Sequence, residues 1–283
     1  MTSSVTINAR IHAAMDKLSP SERRVAKVLL ASYPIAGLET VAQLAARAQV
    51  SGATVVRFVR QLGFEGYPAF HQNLREEVQR SAASPLQRYA AQGIPSGADL
   101  LGQTRHCFEH GVNQTLTRLS KVDIDEAVDL LVDTRKRIWC TGGRFSGVMA
   151  DYLYRYLSQI RAQTYLLAAG PERSDRLIDI GKHDVVVAFD FRRYQADTVR
   201  FAQACRARGA SVLLITDPDL SPIAEVAKHV LTCDMEGLSL YASFLPTVAL
   251  IEVLIAALVA RLGEAALQRL TALEQMRDET GAG

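Results

Sequence analysis

The hydrophobic period of this chain changes once, at Lys136, and that change restricts the fold more than any other feature. Before it, apolar residues recur every three or four positions between short breaks. After it come five short β-rich runs, IWC, TYLL, DVVVAF, SVLLIT and HVLTC. Most are followed by Gly, Ser, Asp or Pro and then by a helical pattern. Strands buried on both faces read as continuous apolar runs, and their alternation with helices builds a parallel sheet. The expected class is α followed by α/β: an all-helical N-terminal domain joined to an open parallel-sheet α/β/α sandwich. The 283 residues suffice for two such domains. Residues 1–80 form the helical domain, 81–124 a linker and connecting helix, and 125–283 the sandwich.

In the helical part, Ser19-Pro20-Ser21-Glu22 supplies an N-cap, a proline suited to the first turn and a glutamate able to close a capping box. Tyr33-Pro34 stops that helix. Thr40 caps a third helix, Ser51 a fourth that ends at Gly63, and a fifth runs from Tyr67 to Arg80. Charge separates the two parts. Residues 1–80 carry 10 Lys+Arg against 6 Asp+Glu, a net of +4; residues 81–283 carry 22 against 24, a net of −2. A basic end on a nearly neutral chain points to a polyanionic partner.

Thr40–Leu62 has the dimensions of a helix-turn-helix, with a turn at Gln49-Val50-Ser51. At about 100° per residue, Val55, Phe58, Val59 and Leu62 of the second helix share one side. Ala53, Thr54, Arg57, Arg60 and Gln61 share the other. Small and polar residues followed by arginines suit a major groove about 12 Å wide, and a Ser51-capped N-terminus suits a phosphate. Ser51, Thr54, Arg57, Arg60 and Gln61 are the candidate DNA-binding residues. The competing account is a surface helix with solvated arginines. The run S-x-A-T-V-V-R-F-x-R-x-L-G-F from Ser51 to Phe64, within KLSPSERRVAKVLLASYPIAGLETVAQLAARAQVSGATVVRFVRQLGFEGYPAF, resembles the N-terminal domain of the RpiR/MurR family of bacterial transcriptional regulators. That resemblance implies a winged-helix-like DNA reader joined to a sugar isomerase (SIS) domain that senses a metabolite. It is strong to about residue 80 and looser from about 125 to 265.

Ligands of open parallel sheets bind beyond the carboxyl ends of strands, where strand order reverses. Two loops qualify. The first, after IWC, holds Gly142, Gly143, Arg144 and Ser146 ahead of a helix, a setting for an anion. The second, after DVVVAF, reads Asp190-Phe191-Arg192-Arg193-Tyr194-Gln195. The resemblance implies a Ser/Thr- and Gly-rich phosphate cradle there, and this chain departs from it. Arginine forks engage carboxylates and phosphates bidentately, so Arg192, Arg193, Tyr194 and Gln195 join the first loop as candidate effector-binding residues for a small anionic metabolite. Alternatively, the arginines are exposed or pair with Asp190 and Asp197.

Other chemistries find less support. Cys107, Cys140, Cys205 and Cys233 show no C-x-x-C spacing, which leaves disulfide frameworks and zinc ribbons without a basis. His106-Cys107-Phe108-Glu109-His110 spells H-x-x-E-H but lies in the linker region without a third ligand, so no metal and no cofactor are expected. His183, Glu225, Glu236 and Glu252 have no motif tying them to a substrate, so no enzyme is expected; the alternative is a phosphosugar isomerase or lyase with an accessory helical domain. A protein-interaction module without DNA binding is a third reading. MTSSVTINARIHAAMDKL lacks the apolar core of a signal peptide. Phe244–Ala260 carries Glu252 and Pro246 and reads as a helix buried in the protein or between subunits, not a membrane span. The expected protein is a cytoplasmic, operator-binding homodimer or homotetramer, with Leu240–Leu262 and the helix after it as the associating surface.

Overall fold

Helices in the first half begin where the sequence supplies caps. The computed structural model describes residues 7–31, 33–82, 99–239 and 241–281, and the chain divides into two compact units, Met1–Gln87 and Arg88–Gly283. The first unit contains α1 (Ile7–Ala14), a 3-10 turn (Met15–Lys17), α2 (Pro20–Ala31), α3 (Val41–Ala48), α4 (Gly52–Gln61) and α5 (Tyr67–Ala82). Glu22 N–H donates to Ser19 Oγ (3.4 Å) while Ser19 N–H donates to Glu22 Oε2 (2.9 Å), a reciprocal capping box. Thr40 and Gln43 repeat the arrangement on α3. Short helices are marginal alone, so stability comes from a shared core that includes Ile11, Val25, Leu29, Leu44, Val55, Phe58, Phe70 and Leu74. Each such side chain contributes about 1.5–3 kcal/mol on burial.

The described residues of this unit form no strand, so the wing implied by the resemblance is absent from them. After α4 the chain turns at Gly63 (φ 91°) and enters α5 at Tyr67, too soon for a hairpin. Phe64 packs edge-to-face on Phe70 at 5.6 Å and closes that connection.

The second unit is built on β1 (Arg137–Gly142), β2 (Thr164–Leu167), β3 (Asp184–Phe189), β4 (Ser211–Thr216) and β5 (His229–Thr232). All pair in parallel, in the order β2-β1-β3-β4-β5. Around them lie α6 (Leu100–Arg118), α7 (Lys121–Val132), α8 (Gly147–Ile160), α9 (Glu172–Asp175), α10 (Ala196–Ala207), α11 (Leu245–Leu262) and α12 (Glu264–Thr280). Alternate strand residues face opposite layers. Ile138, Cys140, Val185, Val187, Leu213 and Ile215 pack with α7, α8 and α11. Trp139 and Val186 pack with Phe201 and Cys205 of α10. Burial on both faces is why the strands read as unbroken apolar runs. The Trp139 indole donates to buried Asp184 (2.8 Å) and stacks on Tyr165 at 4.6 Å. All four cysteines are free.

Residues 100–118 do not stand apart as a connector. Helix α6 packs along α11, and its buried Thr115 Oγ1 accepts from Asp234 N–H (2.9 Å). The H-x-x-E-H run therefore lies inside the folded unit, and the described residues bring no third His, Cys, Asp or Glu to it. Residues 83–98 of the expected linker lie outside the described residues. The C-terminal helical stretch is two helices, broken at Gly263, whose φ of 55° and ψ of −128° suit glycine. Helix α11 has the length and apolarity of a membrane span by composition, and about a third of it is buried within the unit. It packs on α6, α7 and α8, and its Glu252 is exposed and accepts from Tyr152 OH. Arg161, 2% exposed, donates to the carbonyls of Leu131, Asp133 and Lys136 and so closes the end of α7.

Candidate functional site

The DNA-facing candidate is α4. Gln49 sits at φ 53° and ends α3; Ser51 then caps α4 by accepting from Thr54 N–H (3.3 Å). Ser51, Ala53, Arg57, Arg60 and Gln61 are exposed, while Val55, Phe58 and Val59 are buried. Thr54 departs from the outward position read from the sequence: it is 6% exposed. Its hydroxyl lies 3.0 Å from Ser51 Oγ, because the capped first turn folds back on itself and draws this side chain inward. Thr54 therefore shapes the helix start and does not face outward. Arg60 Nε donates to Glu65 O (3.3 Å), and Gln61 Nε2 donates to Lys17 O (3.0 Å). Among the described residues Arg57 makes one long side-chain hydrogen bond, 3.5 Å to Thr54 Oγ1, and keeps most of its donors for an outside acceptor. Lys17, exposed and held beside α4 through its carbonyl, adds a cation that the helical pattern did not single out.

The second candidate lies at the sheet's switch point. Strand order reverses between β1 and β3, and the two loops singled out from the sequence leave those two strands. Gly142 is required sterically: a Cβ there would lie 2.7 Å from the Gly147 nitrogen. Ser146 is buried; it accepts from Gly143 N–H (2.8 Å) and donates to Phe189 O (2.7 Å). Its proton is thus engaged in tying the first loop to the end of β3. Beneath the loop is Arg173 of α9, a residue without a sequence motif. It is 4% exposed and donates to Gly142 O (3.1 Å), Thr141 Oγ1 (3.3 Å) and Asp197 Oδ2 (2.8 Å). Its guanidinium lies 5.1 Å from the Phe201 ring centroid. Burial lowers its pKa, and the charge of Asp197 opposes that shift.

The second loop turns part of its polarity inward. Arg192 N–H donates to Asp217 Oδ2 (2.5 Å), Tyr194 OH donates to Asp217 Oδ1 (2.8 Å), and Arg192 Nε lies 3.5 Å from Asp219. The sequence suggested Asp190 and Asp197 as partners of the arginines. Instead Asp197 pairs with Arg173, and Asp190 accepts from Ser221 OH (2.5 Å) and Gln195 N–H (3.3 Å). Burial pushes the Asp190 carboxyl up to about 7 and Asp217 to about 6. Arg193, at φ 69°, is exposed. Arg144 is exposed over the Phe145 ring (5.4 Å). Arg144 and Arg193 are the cations that the two loops present outward. Gln195 bridges the loops, its carboxamide oxygen accepting from Arg144 N–H.

Comparison with known proteins matches a stretch of each unit to a family. Residues 5–81 match the helix-turn-helix domain of the rpiR family, and residues 131–259 match the SIS domain. A curated relative, the HTH-type transcriptional regulator HexR of Pseudomonas aeruginosa, is 29% identical over 77% of this chain and 75% of its own length. Among solved structures, the sugar isomerase domain of an RpiR transcription factor from Sphaerobacter thermophilus superposes with a TM-score of 0.59. It is 26% identical and covers 62% of this chain and 98% of that one. The Vibrio vulnificus NanR protein, solved in complex with ManNAc-6P, shares the fold at 19% identity and a TM-score of 0.56, over 96% of this chain and 98% of its own.

Proposed function

The chain belongs to the RpiR family of helix-turn-helix transcriptional regulators with a SIS domain, and on that premise we propose how its two sites divide the work. Residues 1–80 read operator DNA through α4, with Arg57 reaching a base edge, Arg60 and Gln61 at the groove wall, and Ser51 presenting the helix start to a phosphate. Residues 125–283 sense a small anionic metabolite between the β1 and β3 loops, held by the backbone of the β1 loop at Arg144 and by the side chains of Arg144 and Arg193, with Gly142 and Gly143 allowing the close approach. The sensor acts without turnover, a reading supported by the match to rpiR-family helix-turn-helix domains and by relatives named as transcriptional regulators. The regulator works in the cytoplasm as a dimer or tetramer. Two half-sites about 34–36 Å apart call for paired readers, and exposed Leu245, Val259, Leu267 and Met276 on α11 and α12 give an apolar surface for association.

The observation that carries this reading is a serine-capped helix whose buried face is wholly committed to the core while Arg57 is left exposed. Fluorescence anisotropy of the full chain on DNA from upstream of its own gene tests it. Binding tighter than to random DNA, with affinity falling steeply as salt rises, is expected. Indifference to both DNAs at low ionic strength overturns the reading.

A further inference from the structure

Gln195 is placed unusually for a helix-capping position. It precedes α10 as N-cap, yet its side chain makes no cap hydrogen bond to its own helix. The carboxamide instead crosses the switch point to the other loop, where its oxygen accepts from Arg144 N–H. It comes so close to Gly143 that a Cβ there would collide with it; glycine is what admits the carboxamide. The neighbouring donor, Gly143 N–H, is taken by Ser146 Oγ at 2.8 Å. The Gly143 and Arg144 N–H groups of the β1 loop are therefore already satisfied by the protein's own oxygens. A carboxamide oxygen is a neutral acceptor in a place suited to a charged one, and N–H donors bind charged acceptors about twice as strongly.

We propose that Gln195 is an internal occupant of the effector site, its carboxamide oxygen standing where an oxygen of a phosphate or carboxylate group binds, so that effector binding expels it. This rests on the assignment of the β1 and β3 loops as the anion site, and it adds a competitor built into the chain. Expulsion has a defined consequence. The Gln195 backbone N–H is held by Asp190, which also accepts from Ser221 at 2.5 Å. A side chain driven from the first loop therefore pulls on the start of α10 and on the carboxyl ends of β3 and β4, where Asp190 and Ser221 lie. Gln195 sets affinity by competition and does not add a contact to the ligand.

Substitutions at this position separate competition from contact by sign. Inorganic phosphate is the probe, titrated at constant ionic strength against the full chain, with ligand-dependent thermal stabilisation and calorimetry as readouts. Gln195→Ala removes the competing acceptor, so phosphate binds about three- to tenfold more tightly, equivalent to about 0.7–1.4 kcal/mol at 1.4 kcal/mol per tenfold. Gln195→Glu puts a charged acceptor on the same N–H and weakens phosphate binding relative to the parent. Gln195→Met keeps the length without the oxygen and follows Ala in direction, which covers an Ala variant that fails to fold. Equal or weaker phosphate binding by Gln195→Ala and Gln195→Met overturns the proposal while leaving the anion site in place. If neither the parent nor these variants binds phosphate or sulfate, the anion site itself is refuted, and the proposal with it.

Discussion

Replacing Arg173 with methionine tests whether one buried cation holds the β1 loop in shape. Methionine keeps the apolar stem against Phe201 and removes every donor. Three losses follow. Gly142 O is left in the interior without its 3.1 Å partner, and an unsatisfied buried acceptor costs about 1–3 kcal/mol. The cation over Phe201, 5.1 Å from the centroid, contributes about 0.5–1 kcal/mol. Asp197 is 50% exposed and regains water, so losing that ion pair removes at most about 1 kcal/mol. Together these give a destabilisation of about 1.5–5 kcal/mol, read as a shift in urea midpoint at unchanged slope. Phosphate affinity falls as well, since Gly142 and Thr141 lose their anchor. Arg173→Lys, with one charged point in place of a fork, falls between. A destabilisation below about 1 kcal/mol for Arg173→Met refutes the assignment of this side chain as the loop's support.

Two further outcomes are expected. Arg57→Ala leaves folding within about 0.5 kcal/mol, the usual range for an exposed site. It weakens operator binding by about 1–3 kcal/mol, and an equal loss on operator and random DNA in anisotropy reassigns Arg57 to a phosphate. Asp190→Asn flattens the pH dependence of stability. The folded carboxyl takes its proton near pH 7, against an ordinary value of 3.8, so the native state binds the extra proton between these pH values. The contribution of this group therefore falls as pH rises from about 4 to 7, and Asp217 acts in the same direction. Thermal melts from pH 5 to 8 should decline less in Asp190→Asn than in the parent; parallel declines exclude Asp190 as the titrating group.

Local signals in the sequence were reliable where the physics is local. The Ser19–Glu22 box, the Thr40 start of α3, the Ser51 start of α4 and the five strands each depend on residues within a few positions, and all form where the sequence places them. What escaped depends on distant partners. Thr54 lies near the edge of a helical wheel, and only the folded first turn draws it inward. Arg161 and Arg173 look like surface arginines until α7 and the β1 loop are brought to them. The arginine-rich loop leaves β3 at the switch point, but its partners, Asp217 and Asp219, follow the next strand. A five-residue connection after α4 leaves no room for a wing, and Gly263 splits a stretch whose composition reads as continuous helix.

The single indole of the chain, Trp139, is lodged in the central sheet against Asp184 and Tyr165, and the amino-terminal helices have none. Tryptophan emission during denaturation is consequently a private signal of the sensor, whereas far-ultraviolet dichroism sums helices from both halves. Recorded on one sample, the two traces separate the melting of the reader from that of the sensor without cutting the polypeptide.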